Sequence, residues 1–148
     1  YNRDNSNEFT IIGEDFNLAF SPNIFKNRNY EKYKDDEDAG IRFKISYYTG
    51  NTNLNGGTSL SNQILLEGEF YKGKTIEKIK KLIAPMNLEI IYDINKANLR
   101  KITNKDLYYF DNEDSKWIKL PNTSNTYINK IKGDLYNLGR FTILGYRR

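Results

Sequence analysis

Among its 148 residues the chain has no cysteine and no histidine, only three prolines, and a single tryptophan. Without cysteine, disulfides, thiolate metal sites and thiol nucleophiles are excluded. Without histidine the commonest general base is missing, and a serine–histidine–acid triad cannot be built. Catalysis would fall to carboxylates, lysines or tyrosines. No run approaches the roughly 18 consecutive apolar residues of a membrane-spanning helix, so direct membrane insertion is not expected. No basic stretch leads into an apolar one, as a signal peptide would require. The chain opens at Tyr1 rather than methionine, the start expected of a processed product or an excised fragment.

A large excess of charge of one sign is lacking too. Twenty-three lysines and arginines face nineteen acids, a net charge of +4 and an isoelectric point near 9.1. The bases are dispersed, with small clusters at Lys78–Lys81 and at Arg147–Arg148. Nucleic-acid binders concentrate basic charge on one element, so no nucleic-acid partner is expected. Lysines spaced along strands serve instead to block edge-to-edge aggregation.

What the chain does hold is aromatic residues: twelve tyrosines and eight phenylalanines. Short runs repeat with a period of two. Phe16, Leu18 and Phe20 share a face; so do Ile41, Phe43, Ile45 and Tyr47, while Arg42, Lys44 and Ser46 point away. "NLEIIYD", "KWIKL", "TYINKIKG" and "RFTILGY" follow the same alternation. Half-buried strands rich in aromatic and β-branched residues read this way. Turn signals separate them at "SPN", "KDDEDAG", "TGNTNLNGG" and "PNTSN". The expected architecture is all-β, an antiparallel β-sandwich formed by residues 9–148, after a polar flexible arm or linker remnant at 1–8. The Asn- and Gly-rich stretch at 50–57 reads as its most flexible loop. One segment departs from the alternation: Ile76, Ile79, Leu82 and Ile83 stand at helical spacing, so one short helix is expected near residues 75–83, with an irregular strand as the alternative.

Candidate sites follow from residue chemistry. The acidic run Asp35–Asp38 supplies oxygens for calcium but lacks the ligand spacing and glycine of an EF-hand loop, and "DNEDS" at 111–115 sits where a hairpin must turn. Neither is expected to hold a metal, and no cofactor is expected. Glu67 and Glu69 share one strand face, so they are not opposed across a cleft as glycosidase carboxylates are. Asn122 begins an Asn-Thr-Ser tripeptide of the glycosylation-acceptor type. Alternation puts one of Tyr47 and Tyr48, and one of Tyr108 and Tyr109, outside the core. Tyr48 and Tyr108 are therefore the outward aromatics that could stack on a sugar.

Over residues 84–145 the order of motifs is more specific. A Pro-led strand ends in Tyr92-Asp93, "DLYYFD" leads into a turn, "KWIKL" follows, and a strand containing Phe141-Thr142 closes the series. This resembles the zonula-occludens and Unc-five type (ZU-like) β-sandwich domain of bacterial and archaeal surface proteins. The resemblance implies that Tyr92, Leu107, Tyr109, Trp117 and Phe141 face inward as packing residues. Some relatives cleave themselves at a His-Phe-Ser motif, whose matching positions here are Arg140, Phe141 and Thr142. Thr142 offers a hydroxyl, but an arginine stays protonated and accepts no proton, so the activity is expected to be absent. The chain thus reads as a non-catalytic accessory or interaction module of a secreted or cell-surface protein. Its expected partner is a protein or another component of the cell envelope. The alternative is a carbohydrate-binding module using the outward aromatics.

Overall fold

The computed structural model of the chain describes residues 9–25, 28–33, 35–48 and 56–147. The expected arm at 1–8, and most of the expected flexible loop at 50–57, lie outside the described residues. In chain order the elements are β1 (Phe9–Ile12), β2 (Phe16–Phe20), a 3-10 turn (Pro22–Phe25), α1 (Arg28–Tyr33), β3 (Ala39–Tyr48), β4 (Thr58–Ser59), β5 (Gln63–Lys72), β6 (Thr75–Ile79) and β7 (Lys81–Ile91). Then come α2 (Ile94–Leu99), β8 (Asn104–Asp111), β9 (Lys116–Lys119), β10 (Ser124–Tyr127), β11 (Lys130–Asn137) and β12 (Arg140–Tyr146).

These strands form two antiparallel sheets. The five-stranded sheet runs β1-β2-β7-β11-β10; the seven-stranded sheet runs β3-β5-β12-β8-β9, with β4 beside β12 and β6 beside β5. The alternation read from the sequence decides which faces meet. Phe16, Leu18 and Phe20 of β2, Met86, Leu88 and Ile90 of β7, and Ile131 and Leu135 of β11 are buried from one sheet. Ile64 and Leu66 of β5, Leu107 of β8, and Phe141 and Ile143 of β12 are buried from the other. Each such side chain contributes about 1.5–3 kcal/mol by leaving water. Tyr92 joins this core and donates its hydroxyl to the Ile128 carbonyl at 2.8 Å.

Two expectations need correction. Residues 75–83 form no helix: they are the end-to-end strands β6 and β7. The chain crosses between sheets at Lys80, so Ile79 is buried with Phe70 in a small cluster on the seven-stranded sheet, while Leu82 joins the main core from the five-stranded one. That change of sheet mimics a helical spacing of three, while Ile76 and Ile83, the other apolar members of the pattern, are 56% and 59% exposed. The short helices are α1 and α2, the latter capped by Asp93, whose carboxylate accepts from the Lys96 amide at 3.0 Å.

The second correction concerns Trp117. It is buried, 2% exposed, but it faces away from the space between the sheets. Its cross-strand partner is Phe110, and Phe110 points opposite to its neighbour Tyr109, which packs on the core side beside Leu107. Tryptophan, being large and flat, finds its cover on the outer surface of the seven-stranded sheet.

Candidate binding face on the seven-stranded sheet

Register builds the outer surface of this sheet residue by residue. Ser46 of β3 pairs with Leu65 of β5, and Leu65 with Arg140 of β12. Phe141 pairs with Tyr109 and Phe110 with Trp117. One cross-strand row therefore holds Leu65, Arg140, Phe110 and Trp117, with Tyr48 two residues along β3 on the same face. The Arg140 guanidinium lies 3.8 Å from the Tyr48 ring centre and 5.3 Å from that of Phe110. Phe110 in turn meets Trp117 edge-on, with centroids 5.3 Å apart. A cation held against aromatic faces contributes about 0.5–2 kcal/mol, depending on how dry the contact is. Arg140 is thus a stacked packing cation.

Thr142 follows on the same outer face and is fully buried. Its hydroxyl lies 3.1 Å from the Ser61 hydroxyl, 3.3 Å from that of Ser59, and donates to the Ser61 carbonyl at 3.2 Å. The Ser61 hydroxyl also accepts the Ile143 amide at 2.9 Å. These contacts fasten the 59–61 segment to β12. None of these groups is a base able to take a proton from a threonine hydroxyl. Asp134, the nearest acid in the sequence, belongs to the other sheet, where it accepts from the Asn87 amide at 3.2 Å. Phe141 and Thr142 sit in a continuous ladder against Tyr109 and Tyr108. Geometry therefore brings Tyr48 and Arg140 together, places Thr142 among hydroxyls, and sends Phe141 to the core.

Tyr108 lies further along the face, 6.1 Å from Tyr146 between ring centres. The two rings border a polar pocket of about 400 Å³ that also takes in Asn104, Asp106 and Lys119. Asp106 accepts from its neighbouring Leu107 amide at 2.8 Å and from the Thr123 hydroxyl, and pairs with Lys119 at 3.2 Å. Burial, followed by the nearby Tyr146 and Asp106, pushes the Tyr108 phenol above its ordinary value. Rings flanked by hydrogen-bonding groups can hold a flat, hydroxylated ligand. Phe110 and Tyr146 complete this surface, and the sequence reading did not single them out. The only signal is alternation, of Phe110 with Tyr108 and of Tyr146 with Arg140 and Thr142, which marks a face of each strand but cannot separate a site from ordinary packing.

The other candidates serve the fold. Lys72 pairs with Asp38 at 2.6 Å and Asp36 at 3.2 Å; the hydrogen bond from Lys72 holds the Asp38 carboxyl below its usual range. Asp111 accepts the Glu113 amide at 3.0 Å and so shapes the turn between β8 and β9. Glu69 pairs with Arg42 across the ladder at 2.8 Å, and Glu67 stands exposed on the same side of β5. Asn122 is exposed and adopts a left-handed φ of 55°, which asparagine tolerates. Among the described residues no three acids converge as metal ligands, and no helix is long and apolar enough to cross a membrane. No family model, curated protein or solved structure matches the chain.

Proposed function

We propose that the chain is a non-catalytic accessory module of a secreted or cell-surface protein, and that it binds through the outer face of its seven-stranded sheet. The observation that carries this reading is the row Tyr48–Arg140–Phe110 over buried Trp117. Arginine and tyrosine held rigidly at a surface contribute disproportionately to protein recognition, because little side-chain freedom remains to be lost on binding. The partner is a protein or other component of the cell envelope. The ZU-like resemblance of residues 84–145 supports the same setting. A photo-crosslinking side chain installed at Tyr48 is expected to label one envelope component, while the same group at Lys132, on the outer face of the five-stranded sheet, labels none. Equal labelling from both positions would overturn the assignment of the face. Mass spectrometry of the purified chain is expected to give one species near 17.4 kDa; a fragment beginning at Thr142 would overturn the non-catalytic reading.

The pocket beside Tyr108 and Tyr146 favours a second reading, in which the ligand is a glycan stacked on the outward aromatics. A glycan array decides between them: binding that Tyr108→Ala abolishes makes the module a carbohydrate binder.

A further inference from the structure

Three loops meet at one end of the sandwich. The segments at 13–15, 60–62 and 91–93 are tied by backbone hydrogen bonds from the Ile91 amide to the Asp15 carbonyl and from the Asp93 amide to the Leu60 carbonyl, both 2.9 Å. Between them opens a polar pocket of about 350 Å³, within the size range of small-ligand sites. Its central group is Asp15. One carboxylate oxygen accepts the Tyr47 hydroxyl at 2.7 Å and the other the Asn62 amide at 2.9 Å. Both donors are neutral, so the carboxylate is aimed without being neutralised, and each oxygen keeps a free lone pair. The Tyr47 ring stands at this end 47% exposed, braced edge-on against Phe16 at 6.3 Å.

The rest of the lining alternates donors with acceptors. The Lys96 ammonium donates to the Ser59 carbonyl at 2.7 Å, the Ser61 hydroxyl belongs to the Thr142 cluster, and Asp93 caps α2. Two carboxylates and one ammonium leave a formal charge of −1, the wrong sign for an anion site and too mixed for a dedicated cation site. Vicinal hydroxyls, each a donor and an acceptor, match such a lining.

We propose that this loop-end pocket binds a sugar unit of a neutral saccharide. Asp15 accepts from adjacent hydroxyls and Asn62 donates to and accepts from the next, while Tyr47, outside the lining, holds the Asp15 carboxylate in place. Tying the loops through their backbones and fixing Asp15 through Tyr47 reduces the ordering cost of binding. The site keeps the binding-module reading and uses none of the outer-face row.

The test is amide-resolved NMR of the 148-residue chain titrated with methyl glycosides of glucose, galactose, mannose and N-acetylglucosamine, and separately with n-butylamine. At least one glycoside is expected to shift the amides of Ser61, Asn62 and Asp93 and the Asn62 side chain. Asp15→Asn and Tyr47→Phe should each weaken that binding about tenfold, as loss of a hydrogen bond to a charged group does. Tyr47→Phe keeps the ring and its contact with Phe16, so it remains decisive should Asp15→Asn fail to fold. Shifts confined to Tyr108, Tyr146 and Arg140 would overturn this site and support the outer-face glycan. Shifts here with n-butylamine alone would make it a cation site and overturn the saccharide. No shift with any glycoside would overturn the site while leaving the outer-face protein contact standing.

Discussion

The outer faces of the two sheets solve different problems with the same backbone. On the five-stranded sheet the outward positions lie open to water, polar pairs beside exposed apolar groups: Asn17 reaches Glu89 at 3.0 Å, Asn87 reaches Asp134 at 3.2 Å, Lys132 stands exposed, and so do Ile12, Ile83 and Tyr136. On the seven-stranded sheet the outward positions include Trp117, Thr142 and Leu144, all at most 2% exposed, under a stacked arginine and flanking aromatics. One face is left solvated, apolar side chains included; the other has been packed like a second, thin core. Such packing makes a surface rigid, and rigid aromatic surface is what recognition uses.

That contrast can be broken most decisively at Trp117. Trp117→Ala is expected to cost about 3–5 kcal/mol in urea unfolding, the range of large aromatic truncations in packed interiors. A loss below about 1 kcal/mol would put Trp117 on the same footing as an ordinary surface residue. Thr142→Val, which keeps shape and removes the hydroxyl shared with Ser59 and Ser61, should cost about 1–3 kcal/mol by leaving buried polar partners unsatisfied. An unchanged midpoint would mean the 59–61 segment is held to β12 by its backbone alone. Across the two faces, Arg140→Ala should lose about 1 kcal/mol of stacking, whereas Asn87→Ala on the five-stranded sheet stays within about 0.5 kcal/mol. Equal losses would erase the distinction.

The smallest effect is a pH slope at the loop end. The hydrogen bond to Asp15, aided by burial and the nearby carboxylates, pushes the Tyr47 phenol from 10.0 up to about 12. The folded state therefore holds this proton where the unfolded chain has lost it. Its contribution is whole below about pH 10 and is lost as pH rises towards 12. Solvent around the half-exposed ring keeps the slope shallow. Urea midpoints taken between about pH 9 and 11 should fall more steeply in the parent than in Tyr47→Phe; identical slopes would show that Asp15 is not fixed by this bond.

Much of the fold was legible because alternation is a local property. Phe16-Leu18-Phe20 and Ile41-Phe43-Ile45 face inward as their period of two requires, since successive residues of a strand must point to opposite sides. Turn chemistry was equally local: Asp111 bonds an amide two residues on, and Gly73 takes the positive φ of 58° that the two-residue turn between β5 and β6 demands. Helical spacing misled at residues 76–83 because period alone carries no information about a chain changing sheets between Ile79 and Leu82. Trp117 misled for a related reason. Its hydrophobicity announced burial, yet which side buries it depends on the register with β8, a contact local pattern does not encode.

The sequence by itself determined the all-β class, the positions of most strands, the exclusion of disulfide and histidine chemistry, and the lack of a histidine base beside Thr142. These follow from residue identity and from geometry within a few bonds. Only the tertiary structure decided that Arg140 lies over Tyr48, 92 residues earlier in the sequence, and that Tyr108 meets Tyr146. It alone placed Asp15 and Asn62 in one pocket, with Tyr47 bonded to Asp15 beside it. Such encounters depend on strand order and on which loops share an end of the sandwich. Those are set by the collective burial of both sheets, a long-range free energy that no short stretch of sequence contains.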